Sequence, residues 1–159
     1  GTFSPNDLKK MIPYLENCDM VVGTRQVQTL TEKGNQNSMF YVWGNMLLAK
    51  LLQLKYFSLL HLGIVQLTDV GCSYRCIRKD ALEKIIDELT NPNDPSILKP
   101  KNWLFSLYMT ILAIENDLKI VEIPLTFRKR GGGESKSEVT KKSKGFVYGM
   151  KFLWFILKR

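Results

Sequence analysis

Apolar positions along this 159-residue chain follow two different periods, and the changes between them mark out its elements. Leu8, Met11, Ile12 and Leu15 recur three and four residues apart. They follow Ser4-Pro5-Asn6-Asp7, where serine can cap, proline takes the first helical position and Asp7 completes a capping box. This predicts a short helix with those four residues inward, kinked at Pro13. The unbroken run from Met20 to Thr24 predicts a short buried strand ending at Arg25, and the polar stretch 26–36 predicts a loop. From Asn37 the spacing of Phe40, Trp43, Leu47, Leu51 and Leu54 predicts a long helix, with Met46, Leu48 and Leu52 widening its apolar face. Cys72, Tyr74 and Cys76 alternate against Ser73, Arg75 and Ile77, a strand pattern. A helix over 80–89 places Leu82, Ile85, Ile86 and Leu89 inward, and the prolines of 90–101 predict an extended loop. Asn102 then caps a strongly apolar helix over 103–115. Ile120, Val121, Ile123, Leu125 and Phe127 predict a strand, with Pro124 marking an edge or a bulge. This order of helices and strands predicts an α/β fold whose parallel sheet draws on strands outside this chain.

Composition narrows the class. An apolar fraction of 45% fits a globular domain, and no run of 18 apolar residues is free of charge, so no complete membrane span is expected. The N-terminus carries no apolar signal core. Cys18, Cys72 and Cys76 are too few and too widely spaced for a zinc site, and an odd count argues for reduced cytosolic thiols. His61, the single histidine, lies between leucines and reads as structural.

Charge then singles out one end. Residues 1–127 hold 13 Lys/Arg and 13 Asp/Glu, whereas residues 128–159 hold 10 Lys/Arg against Glu134 and Glu138. One end of a balanced domain therefore faces something anionic: nucleic acid, lipid headgroups or a phosphorylated substrate. The last predicted strand delivers Arg128, Lys129 and Arg130 to Gly131-Gly132-Gly133, followed by Glu134, Ser135 and Lys136. Glycines admit close backbone approach and arginine offers a planar fork of donors, a combination suited to a phosphate or diphosphate; the alternative is a solvated turn. Asp69, at a turn with Gly71, can face a cleft, make an Asx-turn or partner Arg75.

More greasy surface is present than one helix of a small domain normally buries. The run around Trp43, together with Tyr56 and Phe57, is either core or a pair of interfacial helices with Lys50 and Lys55 towards headgroups. The tail joins Lys141, Lys142 and Lys144 to an apolar, aromatic run containing Trp154; the run is too short to cross a bilayer, and it lies at the interface, forms the first turns of a span cut off at Arg159, or packs back on the domain.

The series Gly1-Thr2 with Ser4-Pro5-Asn6-Asp7-Leu8, Asp19-Met20-Val21-Val22-Gly23-Thr24-Arg25, Thr68-Asp69-x-Gly71-x-x-Tyr74-Arg75, Val121-Glu122-Ile123-Pro124, and Arg128-x-x-Gly131 through Lys136 resembles the C-terminal half of family 2 glycosyltransferases of the dolichyl-phosphate mannose synthase type. These are also called polyprenyl-phosphate glycosyltransferases. The resemblance implies an α/β fold, the C-terminal part of a GT-A domain. Residues 1–136 would be a partial glycosyltransferase domain lacking the nucleotide-binding half, and 137–159 a basic amphipathic juxtamembrane tail. It implies an inverting transfer from a nucleotide-sugar donor to a polyprenyl (dolichyl or undecaprenyl) phosphate acceptor at the cytoplasmic face of a membrane.

By the same resemblance, Arg25 faces the lipid phosphate, while Arg128, Arg130, Ser135 and Lys136 close over donor diphosphate and acceptor phosphate. Asp69 is the acidic group near the sugar, as an orienting group or proton acceptor. Trp43, Lys50, Lys55, Phe57, Lys144 and Trp154 would touch the anionic membrane surface. Mg or Mn is expected in the full-length enzyme, with no metal bound by residues of this chain, because the family's D-x-D would precede Gly1. The isolated chain is expected to be inactive. Two departures stand out: Leu104-Phe105-Ser106 lies where the family commonly has a carboxylate, and 36–40 lacks an arginine common after the first loop. Aromatic RNA-binding signatures are not evident, so no nucleic acid is expected. The rival reading is a non-enzymatic membrane-surface binding module with a basic tail.

Overall fold

The computed structural model describes residues 2–27, 30–32, 39–57, 65–93, 95–98, 104–129 and 142–159. Among them the architecture is mixed α/β: one three-stranded sheet and five α-helices. The first helix is brief. Ser4 and Asp7 form the capping box over the 3₁₀ turn Pro5–Asp7, α1 (Leu8–Met11) follows, and Pro13 turns the chain into a second 3₁₀ stretch, Ile12–Glu16. With one α-turn only, the expected four-residue apolar face does not form. Met11 is fully buried, while Leu8 and Ile12 are exposed.

Strand β1 (Met20–Thr24) is buried along its whole length, because both of its edges are paired. On one side it meets β2 (Arg75–Ile77) antiparallel, with Val21 opposite Cys76. On the other it runs parallel to β3 (Ile120–Pro124), with Val22 opposite Glu122 and Thr24 opposite Pro124. The sheet order is thus β2-β1-β3. Pro124 occupies an exposed position in a strand with no further partner among the described residues, as its missing N–H requires. The strand expected from Cys72 is shorter than its alternation implies. Past Pro124, Phe127 pairs only with Thr31 through an isolated bridge.

Helix α4 (Leu104–Glu115) is the centre of the molecule: Ser106 to Ala113 are all buried. Its Tyr108, Leu112 and Ala113 pack with Met20, Val22 and the inner face of α3 (Lys79–Thr90). Leu107 and Ile111 pack instead with α2 (Met39–Lys55) and α5 (Lys142–Lys158). A helix apolar on every side has to be covered on every side, and here it is. It ends in a Schellman motif: the amides of Leu118 and Asp117 donate to Ala113 and Ile114, and Asp117 takes φ 54°, a left-handed value that aspartate tolerates. A third cluster, Met11, Cys18, Val21, Ile123 and Leu125, fills the opposite face of the sheet.

Helix α2 turns a different side inward from the one its spacing favours. Leu48, Ala49 and Leu52 are buried, whereas Trp43, Leu47 and Leu54 are 65%, 61% and 74% exposed. The tail is also two-sided. Phe152 and Ile156 of α5 join the cluster under α2 and α4, while Phe146, Met150 and Trp154 face outward. Gly145 lets α5 approach α2, since a Cβ there would lie 2.7 Å from the Tyr41 ring. No described helix is long and apolar enough to cross a membrane. His61 and the stretch 130–141 lie outside the described residues.

Candidate functional site

Parallel strands end at a common edge, and the polar side chains of this protein gather at the carboxyl ends of β1 and β3. Arg25, the residue after β1, donates Nε to Asp69 Oδ2 at 2.5 Å and Nη2 to Asp69 Oδ1 at 2.7 Å. This is a bidentate fork, the strongest geometry available to the pair. Asp69 is fully buried, and the Arg25 side chain keeps only 20% of its surface. Burial would weaken the guanidinium's hold on its proton, but the adjacent carboxylate outweighs this and raises its pKa, so Arg25 stays cationic. The Arg25 guanidinium also lies over the Phe127 ring, 5.8 Å from its centroid.

Glu122 holds the other half of the clamp in place. Standing on β3 beside Val22, its carboxylate accepts the amides of Thr68 at 2.9 Å and Asp69 at 3.0 Å, and the Thr68 hydroxyl at 2.7 Å. Thr68 in turn shares a hydrogen bond with Thr24 at 2.8 Å. Burial raises the Glu122 carboxyl, and the donors from Thr68 and Asp69 pull against that rise. Asp69 Oδ1 accepts the Gly71 amide at 3.2 Å, which is the Asx-turn, one of the three alternatives for this residue. Its cationic partner is Arg25 rather than Arg75. Cys72 beside it is no nucleophile: burial, then the Asp69 charge, push the thiol up to about 11.

Arg75 points the other way, into α4. It donates to the carbonyls of Cys72 and Ser106 and to the Thr110 hydroxyl, with its Nε buried and without a partner among the described residues. Burial lowers its pKa to about 10. The Ser106 hydroxyl, in the Leu104-Phe105-Ser106 segment, shares a hydrogen bond with Ser73 at 2.9 Å.

Of the residues singled out from the sequence, the structure brings Arg25 and Asp69 together. Arg128 instead donates Nη1 to Asp7 Oδ2 at 2.9 Å. Arg130, Ser135 and Lys136 fall outside the described residues, as does the side chain of Lys144. Trp43, Phe57 and Trp154 are exposed. Lys50 and Lys55 are exposed too, but occupied: Lys50 donates to Gln53, and Lys55 to the carbonyl of Ile156. The sequence motifs include Glu122 and Thr68 but give them no role, and Asn45 is not among them. The first two carried a usable sign, a carboxylate inside a buried strand pattern and a hydroxyl beside the key aspartate. Gln26, next to Arg25, buries both carboxamide atoms without a partner among the described residues.

Among the described residues no group of three His, Cys, Asp or Glu could hold a metal ion. The two carboxylates at the site are already taken, one by Arg25 and one by backbone amides, so these residues do not fit a divalent cation.

The chain is similar to the polyprenol monophosphomannose synthase of Mycolicibacterium smegmatis, 29% identical over 137 residues, 86% of this chain and 45% of that protein. It is also similar to the undecaprenyl-phosphate mannosyltransferase of Micrococcus luteus, 28% identical over 138 residues, 86% of this chain and 49% of that protein. The chain spans about half the length of the curated relatives it matches. No protein-family model matches the sequence, and no solved structure matches it. The resemblance carried by the sequence motifs and these two relatives point to the same group, the polyprenyl-phosphate sugar transferases.

Proposed function

We propose that this chain is the acceptor-side part of a family 2 glycosyltransferase with a GT-A domain. The enzyme transfers a sugar from a nucleotide sugar to a polyprenyl phosphate at the cytoplasmic face of a membrane. The observation that carries this reading is the buried Arg25–Asp69 fork at the carboxyl end of β1, in a chain resembling two enzymes named for mannose and a polyprenyl carrier.

In the reaction, a phosphate oxygen of the lipid attacks the anomeric carbon from the side opposite the leaving group. The bond from that carbon to the diphosphate oxygen breaks, the electron pair leaves with the nucleoside diphosphate, and the centre inverts. A phosphate monoester is already ionised at neutral pH, so the protein has little need of a strong base. What it must supply is position and positive charge. Arg25 supplies charge facing the acceptor. Asp69 acts as the orienting group, since both of its oxygens are engaged in fixing the guanidinium. Glu122 fixes Asp69 through its amide. Arg128, Arg130, Ser135 and Lys136 close over the donor diphosphate and acceptor phosphate, for which Arg128 exchanges Asp7 for substrate. A Mg or Mn ion on the donor would take its ligands from outside this chain.

The outward faces of α2 and α5, with Phe57 just past the end of α2, supply the membrane contact through Trp43, Phe57 and Trp154, with the lysines towards anionic headgroups. Nucleic acid has no part in this reading. The same outward faces also favour a second reading, a membrane-surface module without catalysis. The two separate in one experiment on the full-length parent, given nucleotide-activated mannose and a prenyl phosphate. Arg25→Lys keeps the charge and loses the fork, and is expected to reduce transfer by about a hundredfold while vesicle binding stays unchanged. An Arg25→Lys parent that transfers as well as the wild type would overturn the catalytic reading. The 159-residue chain alone is expected to give no turnover.

A further inference from the structure

Helix α2 contains a pair of residues that its own stability does not explain. Gly44 and Asn45 sit in the interior of a 17-residue helix, where each is among the poorer helix formers. Packing does not require the glycine, because a Cβ at Gly44 would meet nothing within 4 Å. Other polar side chains of α2 have work in the fold. Lys50 donates to Gln53, Gln53 donates to the Leu67 carbonyl at 3.0 Å, and Lys55 donates to Ile156. The Asn45 carboxamide makes no hydrogen bond among the described residues. Breaches of local preference without a structural return are expected where a sequence serves function.

The place Asn45 points to is specific. A Cβ built on Gly71 would lie 3.5 Å from Arg25 Nη2, 3.7 Å from Asn45 Oδ1 and 3.7 Å from Asp69 Oδ1. Three polar groups from three parts of the chain therefore surround one point, and Gly71 leaves that point empty of side chain. Turning the carboxamide by 180° exchanges Oδ1 for Nδ2 at no steric cost, so the same position presents an N–H donor when an anion arrives.

Building on the transferase reading, we propose that Asn45 is a binding residue for the acceptor phosphate, donating its carboxamide N–H to a phosphate oxygen beside Arg25 over the floor formed by Gly71. The residue makes α2 a two-faced element. Its outer side carries Trp43, Leu47 and Leu54, and Asn45 carries the polar contact of the site. A lipid whose tail lies against the first would bring its headgroup to the second.

The test uses the full-length parent with nucleotide-activated mannose and a short-chain, water-soluble prenyl phosphate, comparing wild type, Asn45→Ala and Asn45→Asp. Asn45→Ala is expected to raise KM for the prenyl phosphate about tenfold, the loss of one hydrogen bond to a charged group, with KM for the nucleotide sugar within about twofold. Asn45→Asp, of the same shape, is expected to raise the acceptor KM by about a hundredfold through like-charge repulsion. Thermal unfolding of Asn45→Ala should be unchanged or slightly higher, as for an alanine placed in a helix. Unchanged acceptor KM in both variants, an equal rise in both substrates' KM, or a lowered melting temperature in Asn45→Ala overturns the proposal and leaves the transferase reading standing. A wild-type parent that neither binds the prenyl phosphate nor transfers sugar to it overturns both.

Discussion

Arg128 reaches Asp7 across 121 residues of chain, its Nη1 2.9 Å from the carboxylate Oδ2, and so ties the segment after β3 to the first turn of the molecule. The same carboxylate accepts the Ser4 amide at 2.8 Å in the capping box and the Lys10 amine at 3.2 Å. Burial pushes the Asp7 carboxyl up, but the hydrogen bonds from Arg128, Ser4 and Lys10 together hold it below the usual aspartate value. A depressed carboxyl stabilises the fold above its unfolded pKa and loses that contribution as pH falls through its folded one. Asp7→Asn is therefore expected to cost about 1–3 kcal/mol near neutrality, and to converge on the wild type below about pH 4. Urea unfolding of both proteins between pH 3 and 7 measures it. A constant difference across that range would contradict the assignment.

Two glycines should respond oppositely to the same change. In Gly23→Ala the new methyl would stand 2.5 Å from Leu125 Cδ1 and 3.3 Å from the Tyr74 carbonyl, in a strand paired on both sides. Since Leu125 is itself fully buried, the expected loss is about 1–3 kcal/mol. In Gly149→Ala the methyl meets nothing within 4 Å on a helix, so a gain of up to about 1 kcal/mol is expected. Differential scanning calorimetry separates the two by the sign of the Tm change.

Arg25 and Asp69 should behave as one unit. Asp69→Asn keeps the shape but replaces one accepting oxygen with a donor, so the fork cannot form and the guanidinium loses its fixed direction. In the full-length parent each of Asp69→Asn and Arg25→Lys is expected to reduce kcat/KM by about a hundredfold, and the double variant by little more. Losses that multiply would show the two residues acting separately.

The outer and inner faces of α2 and α5 predict different failures. Trp43→Ser and Trp154→Ser change exposed positions, and each should weaken binding to anionic vesicles several-fold in flotation while leaving Tm within about 2 °C. Phe152→Ala removes a buried ring and is expected to cost about 3–5 kcal/mol of stability. Should the two tryptophan variants float like wild type, the membrane reading of these faces falls.

How far the sequence could be read depended on contrast between positions. β1 was legible to the residue, because Met20–Thr24 is a short apolar run with polar neighbours. α3 was legible because Ile85 and Leu89 alternate with charges. α2 was legible as a helix but not in its orientation. With Phe, Trp, Met and Leu on every side, periodicity does not distinguish Leu48 and Leu52, which are buried, from Leu47 and Leu54, which are not. The Arg25–Asp69 pair could be suspected from motifs, but not paired, since the two stand 44 positions apart with α2 between them. Whether Asp69 would face Arg25 or Arg75 was decided by Glu122 on β3, which seats the turn carrying Asp69 beside the end of β1.

Lys55 and Arg159 give the tail helix a fixed anchorage. Lys55, ending α2, donates into the last turn of α5 at Ile156, and Arg159 closes on Glu115 of α4 and Glu88 of α3. Four helices therefore meet at one knot. A load applied to the outer rings of α5 cannot be absorbed by swinging that helix alone. A swing of α5 away from the body has to break the Lys55 and Arg159 contacts together, so the outward ring of Trp154 moves with α2, α3 and α4.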